Sequence, residues 1–99
     1  MLKVTMAALR HAGPPEQVFT GHCHAKAIEA AFRGRVKPGD CQEGFVLSDG
    51  TFAHRVAAME VARAAGQVRP EYPENEVLFS YMLKEEPKAN ADDKSGDGQ

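Results

Sequence analysis

Six groups of turn-forming residues cut this chain into short pieces, which restricts it to short strands and short helices. They are Ala12-Gly13-Pro14-Pro15-Glu16, Gly34, Pro38-Gly39, Ser48-Asp49-Gly50, Gly66 and the run from Pro70 to Asn75. Proline lacks the N–H that a strand or helix interior needs, and glycine frees the backbone to reverse. The apolar pattern between the breaks assigns each piece. Leu2, Val4 and Met6 alternate with polar residues, the signature of a strand. The break at 12–16 returns the chain through Gln17–Thr20 as the second strand of a hairpin.

Residues 22–33 change period. His24, Ile28 and Phe32 recur every fourth position, while His22, Lys26, Glu29 and Arg33 fall on a polar face. Thr20 is a suitable N-cap for this helix and Gly34 suits its C-terminal stop. Residues 35–42 read as a loop about Pro38-Gly39. Phe45 to Leu47 and Thr51-Phe52 flank Ser48-Asp49-Gly50 as a second hairpin. Residues 55–65 are rich in alanine and end at Gly66. Ala58, Val61, Ala62 and Ala65 give this second helix a narrow face that can approach a sheet closely. The apolar run 77–83 fits either a strand or a helical turn.

The expected fold is therefore α+β: two hairpins in a small antiparallel sheet, with two helices packed on one face. One domain covers residues 1–86. The last thirteen residues, from Pro87, hold no apolar side chain larger than alanine and read as a disordered charged tail. A domain of this size gains core by pairing, so a homodimer is expected.

Composition narrows function. Twelve basic and fourteen acidic residues give a net charge of −2, unlike the basic footprint of a general nucleic-acid binder. Trp is absent and aromatics are few, which argues against a stacking platform for single strands. Neither a leader nor a membrane-spanning apolar run is legible, so a soluble cytoplasmic protein with free Cys23 and Cys41 is expected. P-loop, GxGxxG and GxSxG motifs are absent. His22, Cys23, His24, Cys41 and His54 are potential zinc ligands, but they form no CxxC or HExxH spacing, and no metal or cofactor is expected.

The ordered segments AALRHAG, VFTGHCHAKAI, EGFVLSDGTFAHRVAA, ARAAGQ and LFSYML resemble a family of short proteins of phage and prophage genomes. That family runs AAIR, G-K-R-H, Q-G-F-x-T-S-x-G-R-F-V-D-R-x-E-A, A-G-Q and L-F-S-E-D-L. It brings no established activity with it. The resemblance covers residues 7–83 and departs from the pattern at His54, Ala57, Tyr81 and Met82, which replace acids. Those acids have the spacing of helix-start residues. A mechanism needing them as acid or base cannot operate here. Among the matched polar residues, His24, Ser48, Arg55 and Gln67 are the candidate site.

Arg55 carries the sharpest expectation. A cation opening a helix faces the positive end of the dipole and needs an offset. A bound anion supplies one, and an ion pair with Asp49 or Glu43 supplies another. His24 reads first as a core-edge histidine hydrogen-bonded to a backbone carbonyl, with a ligand contact or general base as the alternative. Three functions follow. The first is a non-enzymatic module binding a small anionic, nucleotide-like ligand. Arg55 would clamp phosphate, His24, Ser48 and Gln67 would supply polar contacts, and Phe45 or Phe52 an apolar wall. Its phage setting implies sequestration of a host defence signal. The second is an adaptor or inhibitor of a host protein, using Val77–Leu83 with Tyr72 and Tyr81. The third is a small phosphodiesterase with His24 as base and Arg55 stabilising charge.

Overall fold

In the computed structural model, which describes residues 1–72 and 74–84, the elements follow the breaks in the sequence. Strands β1 (Val4–His11) and β2 (Gln17–Gly21) form the first hairpin. Helix α1 (His24–Arg33) follows, then a 3-10 turn at Pro38–Asp40. Strands β3 (Gln42–Leu47) and β4 (Phe52–His54) form the second hairpin, and α2 (Arg55–Ala64) starts directly from β4. A 3-10 turn at Ser80–Met82 completes the order. The sheet is antiparallel throughout, with strand order β2-β1-β3-β4.

The register places both helices on one face. Ala7 lies opposite Gly21 and Phe45, Phe45 opposite Ala53, and Leu9 opposite Phe19. Paired residues share a face, so these side chains project together. Helix α2 covers the Ala7–Phe45–Ala53 end through Ala58, Met59 and Ala62. Helix α1 covers Leu9 through Ala27 and Ala31. The fold is α+β, as its pattern of elements indicated.

Two local expectations are corrected. Val4 and Met6, read as one face, separate: Val4 is buried opposite Leu47, while Met6 is exposed. A bulge between them shifts the register by one residue and sends the two side chains to opposite sides. In α1 the buried residues are Ala27 and Ala31, while Phe32 is 63% exposed. The helix lies so close to β2 that a Cβ on Gly21 would stand 2.7 Å from the Ala27 nitrogen. Ala27 and Ala31 take the centre of that contact, with Ile28 and Phe19 packed beside them, partly buried.

The helix ends also differ. Cys23, not Thr20, stands at the N-cap of α1. At its other end Gly34 has φ −84, and Arg35 takes the left-handed turn at φ 63. Gly66 behaves as its sequence position indicated. Its φ is 74, and the Gly66 and Gln67 N–H groups close the last turn of α2 on Arg63 and Ala62. The run 77–83 resolves as the 3-10 turn plus an isolated bridge between Leu83 and Val68. Among the described residues no helix is long and apolar enough to cross a membrane. The charged tail read from residue 87 lies outside the described residues.

Candidate functional site

Each helix begins at the same recess. His24 is the first residue of α1 and Arg55 the first of α2, and both line a cavity of about 310 Å3. His22, Cys23 and Ala25 complete the wall on the α1 side. Phe79, Ser80 and Tyr81 close the opposite side. Neither helix has a side-chain cap or an acid in its first turn. Both therefore present helix N-termini whose N–H groups and dipole lack an internal negative partner.

The segment 78–80 is fastened to both helix starts. The Leu78 N–H donates to the Arg55 carbonyl at 3.2 Å, and Arg55 Nη1 donates to the Leu78 carbonyl at 2.6 Å. Ser80 reaches the other helix through His24. His24 Nε2 lies 2.8 Å from the Gly44 carbonyl, which can only accept, so Nε2 carries the proton. Nδ1 is then bare and accepts from the Ser80 hydroxyl at 3.0 Å. Burial is the main cause holding the His24 pKa below its ordinary value, with the Arg55 charge acting in the same direction. The Gly44 hydrogen bond and Glu43 oppose them.

Arg55 is braced on three sides. Its Nε and Nη2 donate to Glu43 Oε1 at 3.1 and 2.7 Å. Its guanidinium carbon lies 4.3 Å from the centre of the Phe79 ring. Phe79 stacks in turn on Tyr81, with centroids 5.7 Å apart and planes within 9°. Arg55 is 16% exposed at its side chain and Glu43 50%. The ion pair considered for Arg55 therefore forms, with Glu43 as partner. Asp49 instead accepts from Thr51 within the β3–β4 turn.

Of the six candidate residues, the recess gathers His24 and Arg55. Phe45 lies beneath it, fully buried, with its ring 4.8 Å from that of His24 in an edge-to-face contact. Ser48, Gln67 and Phe52 stand elsewhere. Ser48 and Lys3 exchange hydrogen bonds at the sheet end. Gln67 bonds both backbone groups of Val4. Phe52 opposes Val46 in the sheet, on the face turned away from the helices, and crosses Gly44. Sequence reasoning did not place Phe79 or Ser80 at the site, although both stand in the matched L-F-S segment. No three His, Cys, Asp or Glu side chains among the described residues are grouped to hold a metal ion. Both cysteines are free.

Residues 3–83 match the family model described as Phage T4 y16D protein, and the chain belongs to that family. The match runs from just before β1 to the Leu83 bridge, so it takes in every wall of the recess. Neither the curated proteins nor the solved structures gave a match.

Proposed function

We propose that this member of the Phage T4 y16D protein family binds a small anionic, nucleotide-like ligand in the recess between the two helix starts. One observation carries the reading: two uncapped helix N-termini and the Arg55 guanidinium meet at a cavity walled by aromatic rings. Helix N-termini attract anions through free N–H groups and the macrodipole, and arginine adds a directed cation. Tyr81, exposed and backed by the stacked Phe79 ring, offers a flat apolar surface to the uncharged part of the ligand. His24 has both ring nitrogens engaged, by Gly44 and Ser80, and serves to hold Ser80 at the recess wall. In a phage protein such a module would sequester a host signal molecule, a role drawn from the family setting alone.

Native mass spectrometry of protein purified from a bacterial lysate tests this, beside the same sample denatured. An excess mass that disappears on denaturation and matches a nucleoside phosphate supports the reading. An empty protein that also fails to bind AMP, ADP or inorganic phosphate contradicts it.

A second reading rests on Tyr81, which is 59% exposed and packed edge-on to Tyr72 at 5.7 Å. Exposed tyrosines backed by other rings are common anchors for a partner protein. On this reading Tyr81→Arg abolishes capture of a host protein while Arg55→Ala leaves it intact.

A further inference from the structure

We propose that Ser80 is an activated nucleophile, with His24 as its general base, and that the recess hydrolyses a carboxylic ester carrying an anionic group. The substrate class rests on the anion-binding reading of the same recess. The Ser80–His24 pair stands on its own geometry.

A serine hydroxyl becomes reactive when a bare imidazole nitrogen accepts its proton and a third group fixes the ring. All three parts are present. The Gly44 carbonyl accepts from His24 Nε2 at 2.8 Å and so dictates the tautomer. Nδ1 is left bare and faces the Ser80 Oγ at 3.0 Å. The His24 ring also packs edge-to-face with the fully buried Phe45, 4.8 Å between centroids. A carbonyl orients the imidazole less strongly than the carboxylate of a full triad, which predicts slow turnover. Ser80 and His24 both line the open recess, so a substrate can reach the pair. The amides of Lys26 and Ala27 both donate to the carbonyl of the N-cap residue Cys23, at 3.1 and 3.2 Å. His24 and Ala25 line the recess at the uncapped start of α1, the end of a helix whose field favours a developing oxyanion.

The reaction balances on these groups. Ser80 Oγ bonds to the ester carbonyl carbon as its proton passes to His24 Nδ1. Collapse of the tetrahedral intermediate breaks the bond to the leaving alkoxide, which takes that proton. Water then attacks the acyl-serine as His24 Nδ1 takes one of its protons. Collapse breaks the acyl–Oγ bond, Ser80 Oγ recovers that proton from His24, and the carboxylic acid formed loses its own proton to solvent as a carboxylate.

The probe is diisopropyl fluorophosphate, which is neutral and reacts with an activated serine by losing fluoride. Its reaction does not depend on anion affinity, so it separates this proposal from the binding reading. The expected result is one label, located by peptide mass spectrometry on Ser80. It is absent in Ser80→Ala and at least about tenfold slower in His24→Gln. The unmodified protein provides a second measurement. Its labelling rate is level at neutral pH and falls on acidification through a midpoint below 6.5, as His24 protonates beside Arg55 and Glu43. An unlabelled Ser80 overturns the proposal. So does a labelling rate that ignores both pH and His24→Gln.

Discussion

Gln67 grips Val4 at both backbone groups: its Oε1 accepts from the Val4 N–H and its Nε2 donates to the Val4 carbonyl, each at 2.9 Å. One side chain just past the end of α2 thus pins the start of β1, 63 residues away in sequence. Losing it leaves two part-buried backbone groups without partners. Gln67→Ala should cost about 1–3 kcal/mol of stability. Chemical denaturation measures this. Ligand affinity should be unchanged in the folded variant, because Gln67 lies outside the recess.

Gly44 has no room for a side chain. A Cβ there would stand 2.6 Å from Phe52 Cζ and 2.9 Å from the His54 Cα, and would also meet the Ala53 carbonyl. Gly44→Ala must separate β3 from β4, at about 1–3 kcal/mol. It also displaces the carbonyl that holds His24, so thermal unfolding and labelling of Ser80 should fall together.

Glu43 partly neutralises the cation of the recess through its 2.7 Å pair with Arg55. Glu43→Gln should raise affinity for AMP about three- to tenfold, and added salt should erode the gain. Isothermal titration at two ionic strengths checks both statements. Weaker binding in Glu43→Gln would mean that Glu43 holds Arg55 in its working position.

The lowered pKa of His24 has a defined consequence for stability. The folded state binds this proton less readily than the unfolded chain, whose histidine titrates near its ordinary 6.5. The contribution is therefore complete above pH 6.5 and is lost as pH falls through the folded pKa. Denaturation midpoints should decline on acidification below 6.5, and His24→Gln should flatten that part of the profile.

Breaks and alternation carry the fold because they are local. The turns at Ser48-Asp49-Gly50 and Gly66 stand where their residue types require them. The bulge between Val4 and Met6 was not legible, because it depends on pairing with β3. The exposure of Phe32 was hidden for a similar reason. Its periodicity is that of a core residue, but α1 turns Ala27 and Ala31 to the sheet, an orientation set by packing against β1 and β2. At the site, Glu43 was a named partner for Arg55 and lies only twelve residues from it. The Ser80–His24 bond spans 56 residues, and nothing in either local pattern announces it.

The central claim is that the uncapped start of α1 and Arg55 receive an anion together. Ala25 tests it most directly, being exposed, in the first turn of α1 and on the recess wall. Ala25→Glu places a carboxylate at the positive end of the helix, which should raise stability by about 0.3–1 kcal/mol. The same charge should repel the ligand. Isothermal titration with AMP, beside thermal unfolding, should show binding lost from a protein at least as stable as the original. Equal binding by both proteins, or none by the original to AMP, ADP or inorganic phosphate, would contradict the account.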